Sequence, residues 1–169
     1  MPTGSSGGPV TGRYRFRRAS VRDLPMIAAW QGQPHVRAWW DAATPYDADD
    51  LADPRVARWI VETGGRSFAF MQDYTVHGWD EHHFAQLPPG SRGIDQFIGE
   101  AEMIGHGHGT AFIAARLWAL FEAGAPVVAT DPHPDNGRAI AAYRKVGFKV
   151  FGPPQDTRWG LILPMQATR

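Results

Sequence analysis

Apolar and polar residues alternate along several short segments of the chain, which is the pattern of half-buried β-strands. Residues 14–19 alternate in this way near the start of the chain. Residues 56–62 and 67–74 flank the pair Gly64 and Gly65, which predicts a hairpin with a tight turn. The later segments that favour strands are residues 94–98, 125–130, 148–151 and 159–165.

Other segments carry apolar residues at helical spacing, and two of them have recognisable ends. Ser20 is a favourable N-cap, and Asp23 stands where a capping box needs a carboxylate. Asp135 or Asn136 caps a later helix, and Gly147 ends it. The predicted helices span residues 21–31, 36–40, 110–121 and 136–146, with at most one turn near 49–51.

The order of these elements predicts an α/β fold with a sheet of mixed direction and helices on both faces. A chain of 169 residues fits one domain. We assign residues 13–169 to that domain. Residues 1–12 are small and polar, and we expect them to form a flexible tail.

The amino-acid composition excludes several classes of function. The chain has no cysteine, which excludes thiolate metal sites and cysteine nucleophiles. Its 17 basic and 17 acidic side chains cancel, so a nucleic-acid partner is not expected. No apolar segment is long enough to span a membrane, and the start of the chain lacks a signal core. We therefore expect a cytoplasmic protein.

A glycine-rich loop, residues 104–110, stands between a predicted strand and a predicted helix. Bare backbone N–H groups and the helix dipole make such a loop an anion site. We therefore predict that it binds a phosphate-bearing ligand. On the strand before it, Asp95 alternates with Ile94 and points away from the core that Ile94 faces.

Three sequence motifs resemble the GNAT N-acyltransferase superfamily: IGHGHGT at 104–110, TDPHPDNGRAIAAYRKVGF at 130–148 and RGIDQFIG at 92–99. Together with His35, Trp39 and Trp40 in the pattern H-x-x-x-WW, they are most similar to aminoglycoside 6'-N-acetyltransferases. Two features depart from that pattern. Ile104 replaces the usual Gln or Arg, and the segment after Trp40 is short.

The resemblance implies a mixed, mostly antiparallel sheet that splays to bind acetyl-CoA, with no metal. It implies that Asp95 is the general base and Tyr143 the general acid for transfer of acetyl to an amine by direct attack. The implied acetyl-CoA residues are Gln96, Phe97, Ile98, Ile104, Gly105, His106, Gly107, His108, Gly109, Thr110, Asn136, Ala139 and Tyr143. The candidate substrate residues are Trp40, Trp79, Asp80, Asp95, Asp131 and Asp156.

Several alternatives stay open at this point. Asp95 would also suit a structural turn, Tyr143 a core position, and the other acids solvated loops. His106 and His108 add phosphate donors if they are protonated. Adjacent His82 and His83 do not by themselves make a metal site.

The activity also has alternatives. The amine could belong to a siderophore precursor, such as a hydroxylated lysine or polyamine, or to a protein N-terminus. A non-enzymatic alternative is a CoA-binding regulatory module. Residues 77–90 form a long polar excursion that we expect to be mobile. The sequence does not predict an oligomeric state.

Overall fold

The computed structural model describes residues 10–41 and 44–169. Its main sheet has the strand order β1-β2-β3-β4-β5-β6-β10-β7, and β8 and β9 form a separate hairpin. The strands are β1 (Val10–Thr11), β2 (Tyr14–Arg18), β3 (Val56–Thr63), β4 (Arg66–Thr75), β5 (Arg92–Ile98), β6 (Val127–Thr130), β7 (Lys149–Val150), β8 (Gln155–Thr157), β9 (Gly160–Ile162) and β10 (Met165–Thr168).

All neighbouring strands of the main sheet are antiparallel except β5 and β6, which are parallel. The mixed, mostly antiparallel sheet is therefore confirmed. The predicted hairpin turn is also present. Gly64 and Gly65 both have positive φ, +55° and +78°, which glycine adopts without a steric penalty.

Helices cover both faces of this sheet, as predicted. The helices are α1 (Leu24–Gln31), α2 (Pro34–Arg37), α3 (Ala48–Ala52), α4 (His108–Glu122) and α5 (Gly137–Val146). On one face Ile27 and Trp30 of α1 pack on Phe70. On the other, Phe112 of α4 and Ile140 of α5 join the larger core. Burial of this apolar area from both sides is the main driving force for folding.

Helix ends follow the predicted capping, with one difference at the start of α1. A 3₁₀ turn, Val21–Asp23, precedes α1, and the Asp23 carboxylate accepts a hydrogen bond from the Ser20 N–H at 2.8 Å. Asn136 caps α5 through Oδ1, which accepts from the Ala139 N–H at 3.2 Å. The buried face of α1 carries Ile27 and Trp30, whereas Ala28 is exposed.

A buried carboxylate ties the sheet to α4. Asp73 on β4 is 1% exposed. It accepts hydrogen bonds from Arg92 at 2.5 Å, from Arg116 of α4 at 2.6 Å and from the Trp59 indole at 2.7 Å. Two guanidinium groups and an indole donor compensate the cost of burying this charge.

Two segments differ from the sequence-based expectation, and a third, the tail, lies mostly outside the described residues. Residues 1–9 of the predicted tail lie outside the described residues, so that part stays a prediction, while Val10 and Thr11 pair with β2. The excursion at 77–90 is anchored, because Phe84 in it is fully buried. The predicted strand at 159–165 is two strands, β9 and β10, separated by Pro164, which has no N–H to donate.

Among residues 10–41 and 44–169, none of the helices combines the length and the apolar character needed to cross a membrane.

Candidate active site

The site lies where β5 and β6 part. Their pairing consists of Arg92 with Val128 and Gly93 with Ala129. The next hydrogen bond between the two strands involves a side chain. The Thr130 hydroxyl donates to the Ile94 carbonyl oxygen at 3.0 Å. Beyond it a cleft of about 470 Å³ opens, and residues of both strands line it.

Asp95 lines this cleft from β5. Its carboxylate accepts a hydrogen bond from the Gln72 side-chain amide at 3.0 Å, and Gln72 is its partner on β4. Burial raises the pKa of Asp95 well above its usual value, and the nearby Asp131 carboxylate raises it further. Asp95 therefore retains a proton at a pH where an exposed aspartate would have lost it.

Asp131 follows β6 directly and lines the same cleft. Its Oδ2 lies 2.8 Å from Nε2 of His83. The two carboxyl groups therefore come from the two parting strands and meet at the base of the cleft.

Tyr143 reaches the cleft from α5. It is 4% exposed, and its hydroxyl oxygen accepts a hydrogen bond from the Gln96 side-chain amide at 2.5 Å. Burial raises its pKa above the usual value, so the hydroxyl stays protonated at neutral pH. The hydroxyl can also donate its hydrogen, and the Thr130 side chain is a second hydrogen-bond neighbour of this group.

The glycine-rich loop forms a cradle at the start of α4. Gly105 and Gly107 have φ of +81° and +80°, and a Cβ added at either would meet none of the described atoms within 4 Å. In the first turn of a helix the N–H groups have no intrahelical partner, so those of His108, Gly109 and Thr110 point outward. The cradle has the space and the donors to hold a pyrophosphate.

The edge of β5 beyond the splay offers further backbone groups. Gly99 N–H donates to the Phe68 carbonyl at 2.8 Å, and antiparallel pairing alternates along a strand. Gln96 and Ile98 therefore direct their backbone groups away from β4, toward the gap. The Ile98 carbonyl already contacts His35 Nε2 at 2.8 Å, so its N–H is the group left for a ligand.

The two histidines of the loop have different surroundings. His108 is 7% exposed, and its Nδ1 lies 2.8 Å from the Tyr14 hydroxyl. Burial lowers the pKa of His108. The protonated form, in which the side chain would add a phosphate donor, is therefore disfavoured, while the backbone of His108 belongs to the cradle. His106 is exposed, and Ile104 is partly buried.

The other predicted acetyl-CoA residues divide into two groups. Asn136 and Ala139 line the cleft, although the Asn136 Oδ1 is occupied by the α5 cap. Phe97 packs instead on Phe70 and Trp40, with ring centroids 5.2 and 4.9 Å apart. Its side chain therefore supports Trp40, which lines the cleft.

Of the predicted substrate residues, Trp40, Trp79, Asp95 and Asp131 line the cleft. Asp80 and Asp156 are exposed and lie outside its lining. The β8–β9 hairpin that carries Asp156 presents Arg158 and Trp159 to the cleft instead. The structure therefore does not bring the six residues together.

Sequence reasoning missed much of the lining. Gln72 and Tyr74 share a face of β4 and lie opposite Asp95 and Gly93, so the register of the sheet would have found them. The remaining missed residues come mainly from loops and short helices. They include Trp39, Tyr46, Arg58, His82, His83, His133, Arg158 and Trp159.

His82 and His83 form an aromatic wall rather than a metal site. Their rings stack with centroids 4.3 Å apart, and His82 Nδ1 accepts from the Phe84 N–H at 3.0 Å. Burial lowers the pKa of His82 to about 4, with a further contribution from His83. In the part of the chain that the structure describes, no three acidic or histidine side chains are placed to hold a metal ion.

Comparisons with known proteins all indicate the same family. Residues 20–154 match the acetyltransferase (GNAT) domain family. The chain is 32% identical over 153 residues to an aminoglycoside N(6')-acetyltransferase type 1 of Klebsiella pneumoniae, covering 81% of this chain and 74% of that protein. A kanamycin resistance protein of Rhizobium radiobacter is 40% identical over 75 residues, which is 44% of this chain and 66% of that protein.

Solved structures give the same result. The structure of AAC(6')-Ib in complex with paromomycin and acetyl-CoA has a TM-score of 0.81 and 32% identity, with 94% of each chain covered. The complex of that enzyme with coenzyme A and kanamycin has a TM-score of 0.80 and 32% identity, over 92% of this chain and 95% of that one. The chain belongs to the GNAT acetyltransferase family.

Proposed function

We propose that this chain transfers the acetyl group of acetyl-CoA to the 6'-amine of an aminoglycoside, by direct attack of the amine. The observation that carries the proposal is the Asp95–Asp131 pair at the splay, beside a glycine cradle. The relatives named for this reaction support the substrate class.

The cleft suits a sugar that carries several ammonium groups. Asp41, Asp95 and Asp131 line it and provide acidic side chains. Trp39 and Trp159, about half exposed, provide flat aromatic surface on its lining. Ammonium groups are attracted both to carboxylates and to the faces of indole rings.

Asp95 takes the proton that the substrate must lose before it can attack. An N–H bond of the ammonium breaks and an O–H bond forms on the carboxyl pair, which leaves a neutral amine. A carboxylate of ordinary pKa is a weak acceptor for an ammonium proton. Because the pKa of Asp95 is raised, its proton affinity is closer to that of the amine.

Acetyl-CoA supplies the acetyl group as a thioester. The cradle from Gly105 to Thr110 would hold its pyrophosphate, and the β5 edge at Gln96 and Ile98 would bind the arm that enters the splay. The neutral amine nitrogen forms a C–N bond to the thioester carbonyl carbon as the C–S bond breaks. Tyr143 gives its proton to the departing sulfur and takes back the proton that the attacking nitrogen loses. The proton that the carboxyl pair took from the ammonium is released to solvent.

A second candidate is an amine that also carries a carboxylate, such as a hydroxylated lysine in siderophore assembly. Arg58 and Arg158 both line the cleft. The Arg158 guanidinium lies 4.2 Å from the centroid of the Trp159 ring. A guanidinium there repels a polycation and attracts a carboxylate.

One assay separates these candidates. Purified protein is incubated with acetyl-CoA and either aminoglycosides, hydroxylated lysine, diamines or peptide N-termini, and free thiol is measured. Turnover of aminoglycosides supports the proposal. Turnover of hydroxylated lysine alone supports the second candidate. Binding of CoA with no turnover, unchanged by Asp95→Asn, would indicate a CoA-binding regulatory module.

A further inference from the structure

His83 contacts the carboxyl pair from a loop that the proposed reaction does not otherwise use. We propose that His83 is a positioning residue: through Nε2 it holds Asp131 beside Asp95, so that the two carboxyls act as one proton acceptor. The inference rests on the proposed function for its catalytic consequence, but its physical basis lies in the free protein.

The position of His83 is fixed by its surroundings. Its side chain is 7% exposed, and Nε2 lies 2.8 Å from Asp131 Oδ2. The ring stacks on His82 and packs at 4.3 Å on Phe84, which is fully buried. Trp159 contacts its outer edge, with centroids 5.5 Å apart. A ring held on several sides has little rotational freedom to lose when it orients a partner.

His83 contacts the site through one of its two ring nitrogens. Nδ1 is buried and has no hydrogen-bond partner among the described residues. Nε2 is therefore the ring atom that connects His83 to the site. A hydrogen on Nε2 donates to the Asp131 carboxylate, and donation to the charged form favours that form.

The contact between His83 and Asp131 determines which of the two carboxyls carries the proton. With Asp131 held in its ionised form, the proton of the pair lies on Asp95. An incoming ammonium favours the ionised pair, so Asp95 releases its proton to solvent. The pair then accepts one proton from the ammonium, as an N–H bond breaks and an O–H bond forms, which leaves the amine neutral. His83 therefore determines both the orientation of Asp131 and the proton affinity of the acceptor.

Other charged groups face His83 and must be considered in any pH experiment. Asp131 contacts it directly, and Asp95 lies beyond Asp131. Electrostatic effects on the adjacent His82 come from Asp131, Arg158 and His77, as well as from His83 itself. Each of these groups is therefore kept unchanged when His83 is varied, apart from His77 in the control.

The matched variants are His83→Gln and His83→Asn. Both carry an amide, but only glutamine places it near the position of Nε2, because the asparagine side chain is shorter by one methylene. His77→Asn is the control for loop anchoring. Its Nε2 contacts the Ala85 carbonyl at 3.2 Å in the same loop, and its side chain is outside the cleft lining.

The first readout uses the free, full-length protein. Carboxyl ¹³C chemical shifts of Asp95 and Asp131 are followed against pH by NMR, with thermal unfolding as the check of folding. We expect His83→Asn to move both titrations to higher pH and His83→Gln to keep them near those of the unmodified protein. Unchanged titrations in His83→Asn would overturn the proposal, whatever the protein's substrate.

The second readout is kinetic. We expect His83→Asn to lower kcat by about tenfold, as misplacement of a catalytic group does, and to move the ascending limb of kcat/KM to higher pH. In His83→Gln the ascending limb of kcat/KM should lie near the pH at which it lies in the unmodified protein. If His77→Asn has the same effect, His83 only anchors the loop and the proposal is wrong. If the unmodified protein acetylates no aminoglycoside, the proposed function fails while the NMR result still decides the role of His83.

Discussion

The Thr130 hydroxyl donates a hydrogen bond to the Ile94 carbonyl oxygen at 3.0 Å, and this contact closes the parallel pairing of the sheet. Asp95 and Asp131 are the next residues on the two strands. The point at which the sheet parts is therefore also the point at which its two carboxyl groups meet. A ligand that enters the splay reaches both carboxyls at once.

Asp95→Asn should abolish most of the turnover. Loss of a general base costs about 10²- to 10⁴-fold in rate, and the amide also removes negative charge from the cleft. Binding of CoA, measured by calorimetry, should change little, because the glycine cradle lies elsewhere. Glu122→Gln is the control, since Glu122 is exposed and pairs with Arg169. A kcat within a few-fold of the unmodified enzyme would show that Asp95 is structural.

The pH dependence of kcat/KM follows from the raised pKa of Asp95. The base must lose its proton to act, so activity should rise with pH, and the rise should lie above the pH at which an ordinary aspartate ionises. Residual activity of Asp95→Asn should lack this limb. A limb at the same pH in both proteins would assign it to the substrate amine instead.

Tyr143→Phe should lower kcat while leaving the affinity for CoA nearly unchanged. In the proposed reaction the departing sulfur receives the phenolic hydrogen, and loss of such a donor costs about 10²-fold in a typical general-acid step. Because burial raises the pKa of Tyr143, the unmodified enzyme should show no loss of kcat from this group at pH values below 10. Steady-state kinetics across pH test both statements, and an unchanged kcat in the variant would remove Tyr143 from the mechanism.

Gly107→Ala should weaken CoA binding more than it destabilises the fold. Gly107 has a φ of +80°, where alanine is strained by about 1–2 kcal/mol. Gly124 has a φ of +97° just beyond the other end of α4, so Gly124→Ala carries a similar strain outside the cradle. We expect similar unfolding free energies in urea for the two variants and a loss of CoA affinity only for Gly107→Ala. Equal CoA affinities would place the pyrophosphate elsewhere.

Asp73→Ala should destabilise the protein strongly without direct contact with the cleft. The substitution leaves Arg92 and Arg116 without their buried partner, and breaking such a pair costs about 3–5 kcal/mol. Urea unfolding measures this cost. Arg169→Ala, which removes an exposed ion pair, should cost no more than about 1 kcal/mol. Similar costs for the two variants would contradict a structural role for the Asp73 cluster.

Much of the fold follows from local sequence patterns. The paired glycines at 64 and 65 define the hairpin, and Asn136 and Gly147 delimit α5, because caps and turns depend on a few adjacent residues. The break at Pro164 was missed, since a proline near the end of an apolar segment is compatible with either one strand or two. The start of α4 at His108 was missed by two residues, because glycine and histidine favour loops.

The site was predictable where it lies on regular elements. Asp95 follows from strand alternation, and Tyr143 from the resemblance of its helix to known ones. Asp156 shows the limit, because an acid in a turn-rich segment carries no signal for the direction of its side chain. His83 was considered only as a metal ligand, and its contact with Asp131 joins residues 48 positions apart that no local pattern connects.

The central claim is acetylation of a 6'-amine, and product analysis with two matched aminoglycosides tests it most directly. The two compounds differ only in carrying an amine or a hydroxyl at the 6' position. We predict that the first gives a product one acetyl group heavier, located at the 6' nitrogen by NMR, with one free thiol released per product, and that the second gives none. Acetylation of both compounds at the same other position would contradict the account.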